Sequence, residues 1–290
     1  MQIGVSSYSY SRVVRDGRMT QLEVPAKAKE MGFGVIEFST FQMPEGTDPQ
    51  EWARKLRDAC GRAGIAITNY TIGADFLKGS GGDWKKEAER LKGELAVAQI
   101  LGVPGMRHDA TGGFPAGHKG GRSFDDALPV LVKGCKAVTE MATDMGIRTM
   151  VENHGYFCQD STRVEKLICG VNHANFGALI DVGNFLCADD EPGRAVGLLA
   201  PYAFHVHFKD FYVKAGTAPN PGEGWFMSRG GNFLKGAIVG HGDVPTLTCL
   251  RLLKKAGFNG VVSIEFEGQE DPILGIRIGR ENLEKYIAMA

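Results

Sequence analysis

The 290-residue sequence has no apolar run approaching the roughly 18 residues that a membrane-crossing helix requires. Its opening, MQIGVSSYSY, reads as a strand and not as a charged leader followed by an apolar segment, so a cytoplasmic location is expected. The six cysteines (Cys60, Cys135, Cys158, Cys169, Cys187, Cys249) include no CxxC pair. That removes zinc knuckles and dithiol redox motifs and leaves free thiols, mostly small buried hydrophobes. Net charge is lacking too: 33 Lys and Arg stand against 34 Asp and Glu, a formal charge of −1. A chain so balanced has no global attraction to nucleic acid or to an anionic membrane. No GxGxxG follows the first strand-like segment, which argues against a dinucleotide-binding open sheet.

What recurs is a join between a helix end and a strand start. KEMGFGVIEF, GRAGIAITNY, QILGVPGMRH, TDMGIRTMVEN and KKAGFNGVVSIEFE place Gly32, Gly64, Gly102, Gly146 and Gly257 where a helix would close. Glycine takes the left-handed conformation that ends a helix, so five copies imply a βα repeat. Trp84, Ala88, Leu91, Leu95 and Ala98 recur at helical spacing and predict a face packed on a sheet. Strands are expected near residues 2–7, 34–38, 65–70, 104–108, 148–152, 177–181, 203–208 and 261–266. Eight strands alternating with helices predict a (β/α)₈ barrel as a single domain over 1–290, since such barrels occupy about 250 residues. Asp243 is placed to cap the helix carrying Leu247, Leu250 and Leu253, with Pro245 in its first turn. Residues 211–240, with seven glycines and two prolines, are expected to form a long loop on the catalytic face, serving as a lid or as a contact in a homo-oligomer or with another subunit.

Four successive strands end in charge: MVENHG, ALIDVGNF, FHVHFKD and VSIEFEG. Buried parallel strands should be apolar nearly throughout, and the C-terminal ends of barrel strands carry the reacting groups. A lone acid at a strand end is ordinarily a loop cap or an ion-pair partner, but four in a row call for a shared cation. Glu152, Asp181, His207 and Glu265 are therefore read as one metal site. Three carboxylates and an imidazole suit a single hard or borderline divalent cation, Mn²⁺ foremost, with Mg²⁺ or Co²⁺ as alternatives. His205 shares a strand face with His207, which lies nearer the rim and is the preferred ligand. His108, His154, Asn184 and Lys209 are candidates for substrate contact or for holding the ligands, Glu37 at the end of its strand is expected to face the same cavity and contact substrate, and Trp225 and Arg229 are candidates for substrate contact from the long segment. His118 and His173 are expected at the surface.

ENHG, DVGNF, HVHFKD, GHGDVP and SIEFEG resemble, in order and spacing, the sugar phosphate isomerase/epimerase superfamily of xylose-isomerase-like barrels. The resemblance covers nearly the whole chain. It implies metal binding by Glu152, Asp181, His207 and Glu265, with Glu152 and Glu265 exchanging the substrate proton as in ketose 3-epimerase relatives. It differs from those epimerases at Asn184, where they carry histidine, and at Val213, where they carry arginine. The expected activity is a metal-dependent isomerisation or epimerisation of a small carbohydrate through an enediolate. The alternative is a lyase of the same superfamily, dehydrating an inosose-like keto-polyol or cleaving a 3-oxo-glycoside by β-elimination. Phosphodiester cleavage, as in apurinic endonucleases, would call for more histidines than the seven present and for a basic rim.

Overall fold

The computed structural model describes residues 1–290. Eight parallel strands close into a barrel: β1 (Gln2–Ser6), β2 (Val35–Phe38), β3 (Ala66–Ile72), β4 (Gly105–His108), β5 (Arg148–Glu152), β6 (Phe176–Asp181), β7 (Ala203–Phe208) and β11 (Val261–Ile264). Each pairs with its neighbour in sequence, and β1 pairs with both β2 and β11 to complete the ring. Around it pack α2 (Val24–Glu30), α3 (Pro49–Ala63), α4 (Trp84–Leu101), α5 (Phe124–Asp144), α6 (Ser161–Val171), α7 (Pro192–Leu199), α8 (Thr246–Lys255) and α9 (Pro272–Met289), with a short α1 (Ser11–Arg15) at the mouth. One cluster of 59 buried residues joins the helices to the barrel wall.

The local causes match the sequence. The chain at Gly64 and Gly102 is left-handed and closes α3 and α4, and Gly32, Gly146 and Gly257 also hold positive φ. On α4, Ala88, Leu91, Leu95 and Ala98 are buried, with Trp84 partly so. A capping box between Ser123 and Asp126 starts α5.

Residues 211–240 are not an irregular loop. They hold a three-stranded antiparallel sheet of β8 (Asp210–Lys214), β9 (Phe226–Met227) and β10 (Phe233–Ala237), ordered β8-β10-β9. The glycines serve its turns, where Gly222, Gly224 and Gly231 have positive φ. Asp243 does not cap α8, whose N-cap is Pro245; its carboxylate instead accepts the Val213 N–H at 2.7 Å and ties the inserted sheet down. His118 and His173 are half-buried instead of exposed, with His118 stacked on Phe114 at 4.4 Å.

Candidate active site at the barrel mouth

Strand alternation sends Glu152, Asp181, His207 and Glu265 into the barrel at its C-terminal end, where all four are buried. One ligand atom from each lies within 4.8 Å of the others. The motif residues between them serve as braces. Asn153 accepts the Asp181 N–H and donates to the Asp181 carbonyl, both at 2.8 Å, which locks the end of β6 to that of β5. Asp181 Oδ1 takes the Gly183 and Asn184 N–H groups at 2.9 Å, leaving Oδ2 turned toward the cluster with no hydrogen-bond partner. Gly183 is required because a Cβ there would lie 2.7 Å from the Lys209 carbonyl oxygen.

Mid-depth in the barrel the filling is polar where aliphatic side chains are usual. Glu37, fully buried, sits with one carboxylate oxygen against His207 Nε2 and the other 3.1 Å from His205 Nε2. Asn69 donates to the latter oxygen at 3.3 Å, and Ser263 Oγ lies 3.0 Å from His205 Nε2. Burial penalises the Glu37 charge, yet His207 and His205 outweigh it and hold the carboxyl well below the ordinary range. A carboxylate only accepts, so one His207 proton belongs on Nε2. Nδ1 is the ring atom that faces Glu265 at 3.5 Å, Asp181 at 3.8 Å and Glu152 at 4.0 Å; burial opposes a charge on the ring, but Glu37 and Glu265 hold it well above the ordinary imidazole range, so a cation would have to displace the Nδ1 proton to bind there.

Two cations share the rim. Arg107 Nε lies 2.6 Å from Glu152 Oε2, without the alignment of a hydrogen bond, and its other nitrogens reach Asp109 Oδ1 at 2.7 Å and the Ile72 carbonyl at 3.0 Å. Lys209 Nζ lies 2.8 Å from Glu265, 3.2 Å from Glu267 and 3.3 Å from Asp181. Burial opposes its charge, but Asp181 and the glutamates hold the ammonium well above its usual range. For Asp181, burial pushes the carboxyl up to about 6 although Lys209 pulls the other way. Burial likewise works against Glu265, where Lys209 and His207 win and the carboxyl is held low. Asp181 Oδ2, which has the Lys209 ammonium nearby but no hydrogen bond, and His207 Nδ1, also without one, converge with two further carboxylates and fit the donor set of a divalent cation.

The other sequence candidates divide. His154 lines the cavity beside the cluster, its Nδ1 3.0 Å from Asp109 Oδ1; burial would lower its pKa, but Asp109 raises it. Asn184 is buried between Glu152, to which it donates at 3.0 Å, and Lys209, from which it accepts at 3.3 Å, so it holds the cluster instead of facing the cavity. Glu37 lies too deep for the cavity. His108 turns to the opposite side of β4 from Arg107, between Phe76 and Phe176, and has no place in the site. Arg229 pins the insertion, donating to Asp160 at 2.9 Å and to the Tyr156 and Ala188 carbonyls, while Trp225 packs under Lys214. Neither lines the cavity. Sequence reading passed over Arg107, Asp109, Tyr8 and Glu267, which all line it. GHGDVP is a turn closed by Asp210, whose carboxylate takes the N–H groups of Gly240, Gly242 and Val244 at 2.8, 3.0 and 3.1 Å and leaves no room for an outside anion.

With this geometry in hand, residues 25–286 match the family described as xylose isomerase-like TIM barrel. The chain belongs to that family. Among curated proteins it is 23% identical over 278 residues, 91% of this chain and 88% of the other, to a Shigella dysenteriae serotype 1 protein assigned the name L-ribulose-5-phosphate 3-epimerase UlaE. Among solved structures it is similar to D-psicose 3-epimerase of Clostridium cellulolyticum H10, with TM-score 0.74, 14% identity and 99% of each chain covered. It is also similar to AsbF of Bacillus anthracis, described as a 3-DHS dehydratase, with TM-score 0.72, 17% identity and 98% and 99% covered. The likeness to these solved structures shows that the chain shares their barrel fold.

Proposed function

We propose that the protein is a divalent-metal-dependent sugar isomerase or epimerase that abstracts a proton beside a carbonyl to give an enediolate. The observation that carries this reading is the convergence of Glu152, Asp181, His207 and Glu265 at the barrel mouth, open to a cavity of about 310 Å³. A bound Mn²⁺-class ion would supply Lewis acidity, lowering the cost of charge on substrate oxygens. The protein's own groups do the rest. Glu152 and Glu265 are the proton-transfer pair, Arg107 and Asn184 fix the Glu152 carboxylate, and Lys209 and Ser6 fix Glu265, with Ser6 Oγ 3.3 Å from it. His154 reaches the cavity as a hydrogen-bonding group for substrate hydroxyls.

A lyase outcome has its own support. The Asp109-paired His154 is a proton donor at the cavity, where a leaving group beside the enediolate could collect a proton.

The test is metal analysis together with NMR in D₂O. Purified protein should hold about one Mn²⁺-class ion per chain, and His207→Ala should lose it. Glu37→Gln, remote from the substrate cavity, should weaken the ion about 10–100-fold by releasing the His207 ring. Full metal content in His207→Ala would refute the site. With a panel of ketoses, inososes and 3-oxo-glycosides, deuterium incorporation without loss of a group supports isomerase, and loss of water or aglycone supports lyase.

A further inference from the structure

A second cavity, of about 350 Å³, adjoins the metal-side one, and Tyr8 and Glu267 line both. That outer cavity is bounded by Arg12 and Arg15 of α1, by Phe266, and by the inserted sheet through Phe211 and Phe226. Phe226 stands on the edge strand β9, 36% exposed, in edge contact with Phe211 at 5.6 Å between centroids. The insertion that carries it is held in place: Asp189 accepts from Ser228 Oγ at 2.6 Å and from Asn232 Nδ2 at 2.8 Å, and Arg229 bonds to Asp160. The outer cavity is therefore preformed.

We propose that it is a subsite for a ring-sized aglycone, so that the substrate is a glycoside of an oxidised sugar and not a free monosaccharide. This rests on the enolisation reading above and names its substrate class. The inner cavity alone sits at the lower edge of the roughly 300–1,000 Å³ that small-molecule sites span, and the pair together falls near the middle. Aromatic edges interleaved with guanidinium and hydroxyl groups suit a ring with apolar faces and a polar rim. A phosphate fits less well. Glu267 presents a carboxylate to the space, Pro272 at the start of α9 offers no N–H, and the next two amides, of Ile273 and Leu274, are taken by Asp271. Arg12 already donates to the Glu270 carbonyl.

The experiment compares kcat/KM for solvent deuterium exchange by the Mn²⁺-loaded protein on 3-oxo-glucose, on both anomers of phenyl 3-oxo-glucoside, and on a ketopentose 5-phosphate. At least one phenyl glycoside should exceed the free sugar tenfold or more. Phe226→Ala should bring the two within twofold of each other, whereas Met227→Ala, next in sequence and outside the cavity, should keep the ratio. Equal or lower values for both glycosides in the unmodified protein overturn the subsite while leaving enolisation intact. Preference for the phosphate, lost in Arg12→Ala and kept in Phe226→Ala, overturns it in favour of an anion subsite. Absence of exchange on all of them removes the enolisation reading, and this proposal with it.

Discussion

His108 is sealed between Phe76 and Phe176, with Nδ1 donating to the Asp109 carbonyl at 2.8 Å and Nε2 unpartnered. Burial pulls its pKa down from 6.5 to about 4. The unfolded chain therefore takes up a proton near pH 6.5 that the native state refuses until about pH 4. Stability is lost as pH falls through that window, and this residue adds no further slope below it. At about 1.4 kcal/mol per pKa unit the cost is about 3 kcal/mol by pH 4. Urea unfolding at several pH values should show a shallower acid dependence for His108→Gln, and identical slopes would show that another group is responsible. The same strand shows why single residues were hard to place from sequence. β4 has four residues, all buried, so burial gives no alternation from which to tell that Arg107 and not His108 turns inward. Glu37 is expected at the cavity from sequence and lies below it, because depth along the barrel axis has no signature in one sequence. Two residues sharing a strand face, such as His205 and His207, can differ by a whole layer.

Seven of the eight barrel strands were legible because each follows a glycine-closed helix or ends in an exceptional polar residue, β1 being the exception. The inserted sheet was not, because most of its glycines sit in turns between strands of two to five residues, and composition alone reads as loop. Nor could the sequence show that Asp243 bonds β8 in preference to capping α8, since both roles need only a nearby N–H. Asp189 is the hinge pin of this element. It holds φ 56, which Asp and Asn tolerate better than Ala, and it accepts three bonds from the segment 228–232. Asp189→Ala should cost about 1–2 kcal/mol locally in backbone strain and speed proteolysis within 215–225, whereas Asp189→Asn should change both less. Limited digestion with mass analysis checks it. Cleavage no faster in Asp189→Ala would mean that β8 and β10 hold the segment unaided.

For the whole molecule, a cation that binds only the native state adds stability by mass action. At a free concentration a hundred times its Kd the gain is about 2.7 kcal/mol, which for a chain of this size is a Tm rise on the order of 5–10 °C. Thermal unfolding with added Mn²⁺ and then with EDTA should bracket that shift, and a Tm indifferent to both would speak against the four-residue site. The same site was the most legible feature in the sequence, because charge at four consecutive strand ends has few explanations in a barrel. Its surroundings were not legible, since Lys209, Arg107 and Glu267 become neighbours only through closure.

Closure itself has a consequence for the order of events in folding. β1 pairs with β11 across some 260 positions, Gln2 with Val261 through Val5 with Ile264, and Glu265 follows directly on that pairing. Contacts of such sequence separation form late, because the entropy of a long loop must be lost before they return anything. During synthesis, Glu152, Asp181 and His207 emerge in turn while Ser6 waits without its partner Glu265. Until the eighth strand docks, the three proposed ligands face an open trough, so in the metal-dependent reading tight ion capture would report that the ring has shut.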